Sequence, residues 1–214
     1  MKNIYMYLIA AVMVLMTSCQ EKVEFMSDLT LSSSTVKMPA EESWHVIAVY
    51  AKKSWTARFS EPVDWASLDV IEGGEGLGRV RLDCMDNYGL KRAVDVIVTD
   101  GTASDTLKVV QASGLSELRF SFKETSVDVS ADKARVMTAF DTNLRYDIDR
   151  AEITVKDMAD EPVDWISDVE IGIESVTFTV SQASEDRMAI IALTLTDCDG
   201  AVLQTSLLVN QECR

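Results

Sequence analysis

Glu61-Pro62-Val63-Asp64-Trp65 recurs letter for letter as Glu161-Pro162-Val163-Asp164-Trp165, one hundred residues further on. Val109-Val110-Gln111 returns at the same offset as Val209-Asn210-Gln211. Two landmarks in one register within 214 residues mark an internal repeat, and a repeat fixes the architecture before any single motif is read. The chain is long enough for two small domains, each with a core of its own.

Around the first landmark, hydrophobicity alternates with period two. Ile47, Val49 and Ala51 alternate with Ala48 and Tyr50, Trp55, Ala57 and Phe59 with Thr56 and Arg58, Val80, Leu82 and Cys84 with Arg81 and Asp83. Val94, Val96 and Val98 carry the pattern on, and Leu107 and Val109 close it. Such runs are half-buried strands with one core face. Lys52-Lys53-Ser54, Gly73 to Gly76, Asn87-Tyr88-Gly89 and Asp100-Gly101-Thr102 punctuate them as turns. Residues 24–113 therefore read as about seven short strands with no amphipathic helix, an immunoglobulin-like β-sandwich. Residues 117–214 repeat the pattern through Phe120, Phe140, Val176, Phe178, Val180, Ile191 and Val209. The expected fold is all-β: two tandem immunoglobulin-like β-sandwich domains after a signal peptide.

One spacing differs between the copies. Trp55 lies ten residues before Trp65, whereas Tyr146, its aligned aromatic, lies nineteen before Trp165. The nine extra residues, around Glu152 to Val155, predict a longer strand or an added hairpin. On strand parity Trp55 and Tyr146 both face the core. The join at Ser113-Gly114 is short and limits the relative freedom of the domains, though domains of this kind need not unfold together.

A formal charge of −15 repels polyanions and argues against nucleic acid as a partner. The single histidine, His45, argues against a His-based metal site or catalytic dyad. No pair of carboxylates has a nucleophile, metal ligand or phosphate loop beside it, so the expectation is a non-catalytic protein without a cofactor or metal. Asp197-Cys198-Asp199-Gly200 has too few carboxylates for a calcium loop and reads as a hairpin turn.

The N-terminus reads as an address. Lys2 precedes an apolar stretch from Ile4 to Met16, about 13 residues, too short for the ~20 that span a bilayer and suited to a signal sequence. Leu15-Met16-Thr17-Ser18-Cys19 resembles the lipobox of bacterial lipoproteins, with leucine one place further out than usual. The resemblance implies that residues 1–18 are removed, that Cys19 is lipidated and that residues 19–23 form a tether. It implies a membrane partner through the lipid anchor and an outer-membrane address, periplasmic or surface-exposed. Acyl chains in the plural hold such a protein stably where one would not. Glu21 and Glu24 resemble the acidic tags of surface-exposed lipoproteins in Bacteroidetes.

Trp55, Asp64-Trp65, the turn from Gly73 to Gly78, Asn87, Arg92 and the closing Val109-Val110-Gln111 together resemble the BACON domain, a Bacteroidetes-associated domain often found N-terminal in carbohydrate-active proteins. The second copy keeps Tyr146, Asp164-Trp165, Arg187 and Val209-Asn210-Gln211 but has only Gly172 at the glycine-rich turn and no counterpart of Asn87. It is a divergent copy. The resemblance implies an immunoglobulin-like sandwich in an envelope protein, and carbohydrate binding. Some members look like spacers that hold a catalytic domain off the cell surface.

Trp65 and Trp165, kept in both copies where a strand begins, are expected to be core anchors in preference to sugar platforms. Gln111 and Gln211 fall on inward parity, where their amides would satisfy buried backbone groups. Trp44 and Tyr50 share the opposite parity to Ile47 and Val49, which puts both on the outer face of one strand with Ala48 between. With Tyr88 at a loop tip they form the candidate ligand strip, for a glycan. Packing between domains, or cover by the leading strand, is the competing role for Trp44 and Tyr50, and a simple turn that for Tyr88. Cys84 reads as a small core residue, and Cys198 and Cys213 are an open pairing question. The functional expectation is a non-catalytic, lipid-anchored envelope protein that binds glycan. The alternative is a structural spacer or an interaction subunit that meets another envelope protein.

Overall fold

The computed structural model describes residues 27–213, so the leader and Cys19 lie outside the described residues. Nine strands build the first domain: β1 (Leu29–Leu31), β2 (Thr35–Met38), β3 (Ser43–Ala51), β4 (Trp55–Phe59), β5 (Ala66–Leu68), β6 (Glu72–Gly73), β7 (Gly76–Cys84), β8 (Arg92–Thr99) and β9 (Ser104–Gln111). Eight build the second: β10 (Phe120–Phe122), β11 (Ser126–Ser130), β12 (Ala134–Thr142), β13 (Glu152–Lys156), β14 (Ile166–Ile171), β15 (Ser175–Val180), β16 (Arg187–Thr196) and β17 (Val202–Glu212).

Each domain is a sandwich of two sheets. The first packs β1-β3-β7-β5 on β2-β9-β8-β4-β6, and the second packs β10-β12-β15-β14 on β11-β17-β16-β13. In both, the leading segment changes sheets. β1 runs antiparallel to β3 and β2 parallel to β9, while β10 runs antiparallel to β12 and β11 parallel to β17. That shared switch, with antiparallel pairing elsewhere, is the immunoglobulin-like arrangement. Among the described residues no helix is long and apolar enough to cross a membrane.

Alternation in the sequence becomes two dry interiors. Ile47, Val49, Val80, Leu82, Val96, Val98, Leu107 and Val109 are sealed in the first, Phe140, Phe178, Ile191, Leu193, Leu207 and Val209 in the second. Phe140 receives Phe120 and Phe122 edge-on, with centroids 5.3 and 5.4 Å away, in the quadrupole-favoured geometry.

Trp55 is 2% exposed, as parity predicts. The glycine-rich turn is what admits it. A Cβ on Gly73 or Gly78 would lie 2.3 or 2.6 Å from the indole, so only a bare backbone can close over that ring.

Tyr146 corrects the sequence reading. It is in a turn, not a strand, and is 68% exposed. The second copy has no glycine pair to receive an aromatic ring, and Leu144 and Ile148 fill the core beside that turn. Register explains the nine extra residues. Thr56 faces Thr99 as Glu152 faces Thr194. From Ala51 to Thr56 the chain takes five steps, from the matching Thr142 to Glu152 ten. The remaining four enter between β13 and Trp165, in the loop where Lys156 and Pro162 bridge. The insertion is thus shared by a turn with one 3₁₀ segment, Ile148–Arg150, and a loop, while β13 itself is no longer than β4.

The domains interlock. Leu90, on the β7–β8 loop of the first, is 3% exposed and belongs to the core cluster of the second. Its N–H donates to Asp147 Oδ2 at 2.8 Å, and the Arg150 guanidinium donates to Asp147 Oδ1 at 2.9 Å. A Cβ on Gly89 would meet that carboxylate at 2.3 Å. Asn87 stiffens the loop: its Nδ2 donates to the Leu90 and Ala112 carbonyls at 2.9 and 2.8 Å, and its Oδ1 accepts from Gly89 at 3.0 Å. Ser113 Oγ donates to the Gly89 carbonyl at 2.7 Å, tying the linker to the same loop. Lys91 pairs with Asp199 across the boundary.

Candidate functional site

The motifs that reveal the duplication converge on one cluster per domain. Arg92 lies over the Trp65 ring, Cζ to centroid 4.5 Å, and Arg187 over Trp165 at 4.4 Å. Arg92 Nε donates to Gln111 Oε1 at 2.9 Å and Arg187 Nε to Gln211 Oε1 at 2.8 Å. Gln111 Nε2 donates to the Met85 carbonyl at 2.7 Å, and Gln211 Nε2 to the Ser181 carbonyl at 2.9 Å. Both glutamines are buried, and their amides share these loop carbonyls with the guanidinium groups, whose Nη2 atoms also donate to them. Each guanidinium fastens the loop after β7 or β15 to the end of β9 or β17 and roofs the tryptophan. The burial of Arg92 lowers its pKa from the ordinary arginine value, opposed by the nearby carboxylate of Asp64. The cluster is structural. Trp165 is buried, as expected, but Trp65 is only half-buried, packed against the rim of its core.

Trp44 and Tyr50 take the outer face of β3, as parity requires, but they are not neighbours. Trp44 pairs with Asp83 at one end of β3 and Tyr50 with Leu77 near the other, six residues or about 20 Å of strand apart. Trp44 is 60% exposed, with Arg81 over its ring at 5.1 Å. Between the two aromatics Val46 and Ala48 face Arg81 and Arg79 across the ladder. Tyr50 is half-buried. Tyr88, 59% exposed, lies on the interlocking loop, its hydroxyl donating to Asp86 Oδ2 at 2.9 Å. That bond raises the Tyr88 pKa, while the Glu42 N–H and then the Tyr88 hydroxyl hold Asp86 below the usual carboxylate value. The strip expected from three aromatics is therefore a sheet face bearing two of them, with the third at the domain boundary.

At that boundary, Tyr88 meets Tyr146 with ring centroids 6.3 Å apart and planes tilted by 35°. The sequence offered no sign of this meeting, because it brings together a loop of one copy and a turn inserted in the other. Two adjoining hollows of ≈ 400 and ≈ 370 Å³ open there, sharing Asp64, Trp65, Asn87, Arg92 and Tyr146.

Among the described residues the cysteines are free thiols: Cys84 buried, Cys198 and Cys213 partly so. Burial pushes the Cys84 thiol up to about 11, which keeps it protonated and inert. Asp197 Oδ1 accepts the N–H groups of Asp199 and Ala201, both at 2.9 Å, so that carboxylate serves its own hairpin. Among the described residues no group of three or more His, Cys, Asp or Glu is placed to hold a metal ion.

By fold the chain is an all-β protein of tandem immunoglobulin-like sandwiches. No family model matches it. No curated protein matches it either. Among solved structures it is similar, over 40% of its length, to 19% of a Bacteroides ovatus GH5 xyloglucanase solved with a XXXG heptasaccharide, at 21% identity and TM-score 0.36. Over 87% of its length it is similar to 29% of an endo-fucoidan hydrolase of glycoside hydrolase family 107, at 10% identity and TM-score 0.32. The same share matches 97% of a tandem pair of titin immunoglobulin domains, at 7% identity and TM-score 0.34. The chain spans less than a third of either hydrolase.

Proposed function

We propose that this is a non-catalytic, lipid-anchored protein of the bacterial cell envelope, built from BACON-like domains, that binds glycan. One observation carries the binding role. Trp44 stands 60% exposed on a sheet face, and its counterpart by register in the second copy is Arg135, so the fold itself does not need an aromatic there. An exposed indole backed by a guanidinium suits the C–H face of a sugar ring, and Glu41 and Glu42 nearby can bond its hydroxyls. An open strip buries little area, so the affinity is weak, about micromolar to millimolar.

The test is a glycan array probed with soluble residues 20–214. The wild type should bind one glycan class, and Trp44→Ala should lose it with its melting temperature nearly unchanged. A large loss of stability with no glycan signal in either protein sinks the reading. Anchoring has its own readout: the full chain should enter the detergent phase on fractionation and Cys19→Ser should stay out.

A second reading, a spacer or adaptor that meets another envelope protein, is favoured by the interlock at Leu90 and Asp147. A rigid pair of sandwiches carries a partner at a fixed distance. In that case the array stays blank while the domains hold one orientation.

A further inference from the structure

The cleft at the domain boundary has a make-up that core packing does not require. Tyr146 and Tyr88 keep 68% and 59% of their surface exposed, and their rings meet with centroids 6.3 Å apart. Tyr146 has no place in the second core, which Leu144 and Ile148 complete without it. We propose that this cleft is a second binding site, for a neutral saccharide, seated on Tyr88 and Tyr146 and formed only when both domains are present. The proposal rests on the reading that the protein binds glycan, but not on Trp44.

The charges in the cleft select the ligand class. Its three cations are already engaged. Arg92 bonds Gln111 and the Met85 and Asp86 carbonyls and lies on Trp65. Arg150 bonds Asp147 and the Thr196 carbonyl, and Lys91 pairs with Asp199. Each cation there already holds a carboxylate or carbonyl acceptor, with which a phosphate, sulfate or uronate would have to compete. The polar groups that make no hydrogen bond are of another kind. The carboxylates of Glu61 and Asp64 line the cleft and accept no hydrogen bond among the described residues, and the Tyr146 hydroxyl makes none. Carboxylates seek donors, and sugar hydroxyls are donors. Aromatic faces seek apolar C–H surface, and a pyranose ring presents it. Hollows of ≈ 400 and ≈ 370 Å³ lie at the lower end of the range for small-ligand sites, which gather at domain boundaries.

The test uses residues 20–214 with isotope-labelled tyrosine rings, titrated with cellohexaose, xylohexaose, mannohexaose and laminarihexaose, and with hexalysine as the cationic control. One of the neutral hexasaccharides should shift the Tyr88 and Tyr146 ring signals to saturation. Tyr146→Ala should weaken that binding by about tenfold, near the worth of one aromatic contact, and Tyr146→Phe by less. Trp44→Ala should leave these shifts in place. If they persist while the array shows no dependence on Trp44, the cleft stands and the β3 face does not. If glycan binding depends on Trp44 and no sugar moves the tyrosine rings, the glycan reading survives and the cleft is overturned. Tyrosine shifts with hexalysine and none with any sugar overturn it as well.

Discussion

In the first sandwich the aromatic that opens β4, Trp55, is an indole sealed beneath two glycines. In the second, its aligned aromatic is a tyrosine standing 68% exposed in a turn. Yet at the opposite end of that sheet the copies agree closely. Arg92–Gln111 and Arg187–Gln211 are bonded at 2.9 and 2.8 Å, and the stacks on Trp65 and Trp165 measure 4.5 and 4.4 Å. The contrast teaches which parts of the unit are constrained. The arginine and glutamine bond each other and the loop carbonyls, so losing either leaves a buried polar group short of a partner. Trp55 only fills a space, and a space can be filled by other apolar side chains once the backbone around it is rebuilt.

That contrast can be broken at several points. The largest effect is expected at Trp55. Trp55→Ala empties a sealed site and should destabilise the first domain by about 3–5 kcal/mol in chemical denaturation. Tyr146→Ala should stay within about 0.5 kcal/mol of the wild type, as an exposed ring does. Comparable losses at the two positions would mean that the copies use their second aromatic alike. A smaller but matched effect is expected at the glutamines. Gln111→Leu and Gln211→Leu each take the acceptor from a guanidinium Nε–H and one donor from a loop carbonyl, about 1–3 kcal/mol apiece. If one costs several times the other, the two clusters are not equivalent. Between the tryptophans the smaller loss belongs to Trp65, half-buried where Trp165 is buried, and a melt of Trp65→Ala against Trp165→Ala reads that order.

Much of the fold could be read in the sequence, for identifiable reasons. Strand parity is local, so Ile47, Val80 and Val96 were legible as core and Trp44 as outward-facing. Gln111 and Gln211 were legible as buried amides, because an inward polar residue must find a partner. Parity failed at Tyr146 because it presumes a strand, and the turn that replaces the strand depends on the missing glycines. The interlock was invisible for a different reason. Leu90 follows Asn87-Tyr88-Gly89, a turn signal, and nothing local says that the residue after a turn enters the core of another domain. Of the candidate strip, the faces of Trp44 and Tyr50 were legible, but not their separation along β3, nor the meeting of Tyr88 with a residue from the other copy.

The two sandwiches form one body, held by Leu90 in the second core and by its N–H on Asp147. Both the spacer reading and the shared cleft need that. Residual dipolar couplings of residues 20–214, collected on backbone amides in both domains, measure it directly. One alignment tensor, equal in magnitude and orientation, should fit β1–β9 and β10–β17 together. Two tensors of clearly different magnitude would show domains that swing independently and would contradict the interlock.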